Sequence, residues 1–314
     1  MLLKMFRSVA RLLPPRLPEI VYTVLLRPAP FRRIANWVLL KIIPPEVIID
    51  GVTLYLNPRD PVLSPAVALG VYENYELDVF RTYCSVGATV VDIGANVGLY
   101  TATAAARVGK EGLVIAIEPH PESYRYLKKT VGKNGFKHVK SFEVAAGDST
   151  RLTSLFLTDE NKADSRIYNG GGRRQETLVQ MVSLDSLLAD NGIYTVHVIK
   201  MDVQGAEALV LCGMRQTLAN SLNMVMFTEF WPWGIEQTGH SPLNFLKDLQ
   251  ALGFRFKTID ESNHQVTDVV EVTELIVKHE KLQYTGVDLR RSHANLICIK
   301  GEVPSAILRS NKNQ

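Results

Sequence analysis

Ala88-Thr89-Val90-Val91-Asp92-Ile93-Gly94-Ala95-Asn96-Val97-Gly98-Leu99-Tyr100 is the stretch that decides the fold. An apolar run ending in Asp92 leads into a glycine turn, and the turn leads into the small-residue stretch Leu99 to Ala106. It reads as strand, tight turn, helix. Gly94 and Gly98 leave room for a ligand to lie against the strand end, and Asn96 is one of the few other residues that accept a left-handed backbone. A dinucleotide fingerprint G-x-G-x-x-G would need glycine at 94, 96 and 99, where this chain has Gly94, Asn96 and Leu99. That mismatch disfavours nicotinamide-dependent redox chemistry. Glu118 closes the next apolar run, Leu113 to Ile117, and is followed by Pro119. A carboxylate at the tip of a second strand can accept both hydrogen bonds of a ribose diol, so the pair selects a nucleoside.

Outward from this unit the alternation continues. Strand Ala88 to Asp92, helix Gly98 to Arg107, strand Gly112 to Ile117, helix Pro121 to Gly132 and strand Val139 to Ala145 predict a parallel sheet with right-handed crossovers. Strand Val196 to Met201 delivers Asp202 to its C-terminal end, and strand Met224 to Thr228 delivers Glu229 likewise. In such sheets the ligand crevice lies beyond these ends, which makes Asp202 and Glu229 the leading catalytic candidates. His240, in the loop that follows, is a further candidate base. Upstream, Val47 to Leu56 reads as a hairpin turning at Asp50-Gly51, and Pro65 to Tyr83 as one helix. Ser241-Pro242 and Gly253 bracket another helix, and Phe254 to Ile259 and Leu296 to Lys300 supply two more strands. Two stretches read as loops with a choice of roles. Thr158 to Glu176, with Gly170-Gly171-Gly172 beside Arg173-Arg174, is a solvated hairpin tip or a flap over an acceptor. Phe230-Trp231-Pro232-Trp233-Gly234 walls an acceptor pocket or packs on the core.

Taken together, Gly70-Val71-Tyr72-Glu73, Asp92 to Gly98 with Tyr100, Glu118-Pro119-His120-Pro121, Ala145-Ala146-Gly147-Asp148, Leu184-Asp185, Lys200 to Glu207 and Glu229 occur in an order that resembles the FkbM family of S-adenosylmethionine-dependent methyltransferases. The resemblance implies an α/β, Rossmann-like class I methyltransferase fold, with a mostly parallel seven-stranded sheet, helices on both faces and an antiparallel terminal strand pair. It implies S-adenosylmethionine as cofactor, held by Tyr72, Glu73, Asp92, Gly94, Asn96, Gly98, Glu118, Pro119, Asp148 and Asp202. Asp148 would reach the adenine amino group. The implied reaction is methylation of a hydroxyl on a sugar, glycan or polyketide-like acceptor, with Asp202, Glu229 and His240 as catalytic groups. One departure stands out: Gln204 occupies a position where the family usually carries Glu, which keeps hydrogen bonding but loses a charge. No metal ligands are assigned.

Charge is unevenly spread. Through Lys41 the chain holds eight basic residues against Glu19 alone, a net +7, which leaves −4 for the remainder of a chain whose total is +3. The basic character belongs to the N-terminus, which argues against nucleic acid as a partner and for a local anionic surface. Lys4, Arg7 and Arg11 would line one face of a helix, so residues 1–45 form either a membrane-surface attachment or a cap on the domain. The methyltransferase domain is then expected over 46–302, with a polar tail over 303–314. No apolar run reaches spanning length, and Cys84, Cys212 and Cys298 match no metal or disulfide spacing, so a cytoplasmic protein, peripheral on a membrane at most, is expected. Two alternatives compete with that reading: a non-catalytic nucleoside-binding module on the same fold, and a methyltransferase whose acceptor is a lipid or protein at a membrane surface.

Overall fold

The computed structural model describes residues 43–159, 161–277 and 292–303. The basic N-terminal segment, apart from residues 43–45, and all but the first residue of the polar tail lie outside the described residues. The chain opens with the hairpin β1 (Glu46–Ile49) and β2 (Val52–Tyr55), turning where Asp50 and Gly51 both have positive φ. Two helices follow, α1 (Leu63–Leu69) and α2 (Asn74–Tyr83). The pattern from Pro65 to Tyr83 predicts one helix, but Gly70 turns left-handed at φ 70° and ends α1 there.

The deciding stretch forms β3 (Thr89–Ile93) and α3 (Leu99–Val108), followed by β4 (Leu113–Ile117), α4 (Pro121–Lys133) and β5 (Val139–Phe142). Later elements are β9 (Val198–Met201), α6 (Glu207–Cys212), α7 (Arg215–Asn220), β10 (Met224–Phe230), α8 (Pro232–Gln237), α9 (Pro242–Ala251), β11 (Phe254–Asp260), β12 (Gln265–Val269) and β13 (Ala294–Lys300). The main sheet runs β12-β11-β13-β10-β9-β3-β4-β5. Strands β10, β9, β3, β4 and β5 are mutually parallel, whereas β13 inserts antiparallel between β10 and β11. This is the class I methyltransferase fold expected. It has eight strands rather than seven, because Gln265–Val269 turns back on β11 and adds an outer strand.

Strict alternation explains why helices cover both faces. Val91, Ile93, Ile115, Ile117, Ile199, Met201, Met224 and Met226 pack on one side with α6, α7 and α9. Val90, Val114, Val198, Val225 and Phe227 pack on the other with α1, α2 and α3. The third predicted strand, Val139 to Ala145, divides. Its end becomes β6 (Ala145–Gly147), which leaves the main sheet to pair with β8 (Gln175–Ser183), itself paired antiparallel with β7 (Arg151–Leu157). Helix α5 (Leu184–Asp190) starts directly from β8, with the Ser183 side chain accepting from the Ser186 backbone. Among the described residues no helix is long and apolar enough to cross a membrane.

Gly94 shows what the glycine turn is for. A Cβ there would lie 1.9 Å from the Asp202 carbonyl oxygen, so glycine is required for two neighbouring strand tips to meet. Gly98 likewise faces α4, where a Cβ would come 2.8 Å from Leu127 Cδ1. By contrast Gly109, also at positive φ, has nothing within 4 Å. With φ 68° and ψ −174°, Gly109 lies in a region that glycine alone adopts readily, so Gly109→Ala is expected to cost about 1–3 kcal/mol of backbone strain, and Gly94→Ala more than about 3 kcal/mol, since a backbone clash adds to the strain. Chemical denaturation of the two variants measures this; equal losses would contradict the contact between the tips.

Candidate active site

The tips of β3, β4 and β9 open into a cleft that is open to solvent at its mouth. Its wall includes Asp92, Gly94, Asn96, Glu118, Pro119, Tyr72, Tyr100, Lys200 and Asp202. Glu118 is fixed from both sides. Its Oε2 accepts from the Asn96 backbone N–H at 2.8 Å and its Oε1 from that of His120 at 2.7 Å, while each oxygen keeps a lone pair for a ligand. The left-handed Asn96 (φ 50°) aims that first N–H, and its own Oδ1 is buried without a partner. Burial pushes the Glu118 carboxyl up to about 7, against the pull of the two backbone donors.

A second feature lies under the cleft. Lys200, an isolated lysine in an otherwise apolar strand, is 5% exposed and sits 3.1 Å from Glu76 Oε1, with its ammonium 4.8 Å from the centre of the Tyr100 ring. Burial works against its charge, but Glu76, Glu73 and Asp202 outweigh that and hold its pKa above the ordinary value. Glu73 accepts a 2.8 Å hydrogen bond from the Tyr100 hydroxyl, and burial together with Glu76 raises it to about 7. Asp92 is tied to Thr101 and raised by burial to about 6.

At the neighbouring tips, Asp202, Glu207 and Glu229 each place an oxygen within 4.8 Å of the others. Glu207, fully buried, accepts from the Val203 and Gly205 backbones through one oxygen, while its other oxygen has no partner. Burial pushes Glu207 up to about 7, and burial with the Asp202 charge raises Glu229 well above the usual carboxylate range. Such spacing suits proton sharing between carboxyls. Gln204, at φ 54°, donates its side-chain amide to Asp202 Oδ1 at 2.7 Å. A glutamate here would bring one more negative charge against an acid-rich cluster.

The structure redistributes several expectations. Asp148 lies outside the cleft wall, bonded to Ser149 and Arg151, whose guanidinium outweighs partial burial and holds its carboxyl below the ordinary value. The neighbouring Ala145 and Ala146 line the cleft instead. Gly98 packs on α4 and does not line it. Glu73 sits behind Tyr72 and Tyr100, outside the cleft wall. His240 is engaged by Thr238, with Nδ1 3.0 Å from its carbonyl oxygen. The histidine that approaches Glu229 is His293, whose Nδ1 is 3.6 Å from Oε1. Sequence reading passed over His293 and the burial of Lys200 and Glu76. Pairing of Ala294 with Phe230 would have placed His293 at that tip, but only once the β10–β13 register was known.

Glu73, Glu118 and Glu207, with an ordinary value of 4.5, are each raised to about 7. Between those values the folded chain holds protons that the unfolded chain has released. Burial of these acids therefore weighs least against folding below about pH 4.5, and its full cost is present above about 7. The ligand-free protein is expected to melt at a lower temperature at pH 8 than at pH 6; a flat or rising Tm by calorimetry would contradict the buried acids.

The FkbM methyltransferase domain matches residues 92–256. A probable cobalt-precorrin-6B C(15)-methyltransferase (decarboxylating) of Sulfolobus acidocaldarius is 24% identical over 142 residues, covering 41% of this chain and 70% of that protein. Among solved structures, the methyltransferase FkbM of Methylobacillus flagellatus KT superposes with a TM-score of 0.40 at 14% identity, covering 85% of this chain and 59% of that one. A SAM-dependent methyltransferase of Aquifex aeolicus gives 0.37 at 14% identity, covering 72% and 88%.

Proposed function

The chain belongs to the FkbM methyltransferase family, and from that premise we propose that it methylates a hydroxyl oxygen of a sugar, glycan or polyketide-like acceptor with S-adenosylmethionine. The observation that carries this reading is Glu118, held by two backbone donors at the wall of the cleft with acceptor capacity to spare. A cis-diol is the group that such a carboxylate binds. The fit extends to the buried, unpartnered Oδ1 of Asn96. Bound there, S-adenosylmethionine supplies a methyl group made electrophilic by a sulfonium.

What the chain contributes is positioning and proton handling. Tyr72, Tyr100, Asn96 and Asp202 shape the wall, and Asp202 is braced by Gln204. A hydroxyl acceptor is a weak nucleophile at neutral pH and needs a base near its oxygen. Asp202 and Glu229, at adjacent strand tips, are the groups assigned to orient the acceptor and take its proton. Burial raises the Glu229 carboxyl above the usual carboxylate range, which strengthens it as a proton acceptor. Trp231 is buried beyond those tips, and the partly exposed Trp233 beside it offers a surface on which a sugar ring stacks. We place the reaction in the cytoplasm, with the acceptor a small molecule or glycan. The basic N-terminal residues would bring the enzyme to an anionic membrane surface.

Glu118→Ala is expected to weaken binding of S-adenosylhomocysteine by about 1.5–3 kcal/mol, the worth of hydrogen bonds to a charged acceptor. Isothermal titration calorimetry reads this, and unchanged affinity would remove the assignment. Asp202→Asn is expected to reduce label transfer from tritiated S-adenosylmethionine to a cell glycan and metabolite extract far more than it reduces cofactor affinity. Cofactor binding without transfer to any component by the wild-type protein would favour the non-catalytic module.

A further inference from the structure

The segment between β7 and β8 does not stand out in solvent. Lys162, Ala163, Ser165 and Ile167 form part of the wall of the cleft that also holds Glu118. Arg166 sits between these residues with its side chain turned the other way. Its guanidinium lies 4.7 Å from the Trp231 ring centre, 5.8 Å from that of Trp233 and 5.7 Å from that of Tyr168, and the side chain is only 12% exposed. The backbone of Arg166 is pinned to β7 by a two-way bridge with Phe156, at 2.7 and 3.1 Å. Asp164 orients the guanidinium and is itself held by Arg174. Tyr168 donates to the Gln204 carbonyl at 2.9 Å, and a Cβ on Gly205 would strike the Gly234 backbone at 2.6 Å. Flap, Asp202 turn and tryptophan loop therefore meet at one junction.

We propose that the flap is the closing wall of the cofactor site and that Arg166 is its positioning residue, clamping the flap to the tryptophan loop and so setting how long the cofactor stays bound. This rests on the reading of the cleft as the S-adenosylmethionine site. Local geometry gives the mechanism: at the isolated bridge to Phe156, Ser165 and Ile167 line the cleft while Arg166 between them faces the rings, so the cleft-lining residues cannot leave without the guanidinium. A guanidinium desolvated against indole rings is held strongly enough for its loss to matter. The same junction joins the cofactor wall to the loop assigned to the acceptor, so an acceptor that shifts Trp233 would be felt at the cofactor.

Stopped-flow kinetics with S-adenosylhomocysteine, monitored by tryptophan fluorescence, tests this on the full-length protein. Arg166→Gln is expected to raise the dissociation rate by about tenfold while changing the association rate less than about threefold, since the loss falls on the closed complex. S-adenosylhomocysteine should protect the flap from thermolysin in the wild type and fail to do so in Arg166→Gln. A merely structural role would lower Tm without this kinetic split. Gly170→Ala is the second variant: its Cβ would meet Arg166 Nη1 at 2.6 Å and Trp233 at 3.4 Å, displacing the clamp without deleting a group. It should shift dissociation in the same direction by a smaller factor, and it decides the matter if Arg166→Gln does not fold. Unchanged dissociation and protection, with binding intact, would overturn the clamp alone. Failure of the wild type to bind S-adenosylhomocysteine would overturn the cleft assignment and the clamp with it.

Discussion

Carboxylates buried at the tips of parallel strands are the constraint on which this structure turns. Asp92, Asp202 and Glu229 end three adjacent strands, and Glu73, Glu76 and Glu207 come in beside them from helix N-termini. Removing so many like charges from water is costly unless they are protonated or face a cation. Lys200 supplies one positive charge, held by Glu76 and set close to Tyr100. The remaining excess is met by protons, which is why Glu73 and Glu207 rise to about 7. In the proposed reading the methyl donor's sulfonium supplies a further positive charge beside these acids, which would link the stability of the ligand-free fold to its affinity for that donor.

Around that constraint the rest of the architecture has a role. Gly94 lets the β3 tip touch Asp202, so the glycine turn and the Asp202 tip are fixed relative to each other through backbone. The antiparallel β13 closes the sheet beside β10 and brings Asn295 to Glu76 and His293 to Glu229. The small sheet β6-β8-β7 leaves the main one where Ala145 and Ala146 line the cleft, and its long connection returns as a wall. Each device brings a distant part of the chain to the same few strand tips.

Much of this was legible in the amino-acid order, for reasons that can be named. Continuous apolar runs such as Val90-Val91 and Leu113 to Ile117 carry the sheet, and strand-tip positions carry Asp202 and Glu229, because both depend on local spacing. What failed depended on long-range contact. Asp148 follows a strand, yet that strand changes sheets and Arg151 claims the side chain. His240 is near Glu229 in sequence, but Thr238 holds it, while His293 arrives through a strand register that no local pattern announces. The glycine- and arginine-rich flap resembles a solvated tip in composition. The rings of Trp231 and Trp233, distant in sequence, join Asp164 and Tyr168 in enclosing its Arg166.

The central claim is that the acid cluster is partly protonated near neutrality and waits for a cation. Calorimetric titration of the same protein at pH 7 with S-adenosylmethionine and with S-adenosylhomocysteine, in buffers of different ionisation enthalpy, counts the protons released by each. The two ligands differ at the sulfur, charged in one and neutral in the other. The account predicts that S-adenosylmethionine releases more protons than S-adenosylhomocysteine. Equal release by the two would contradict it.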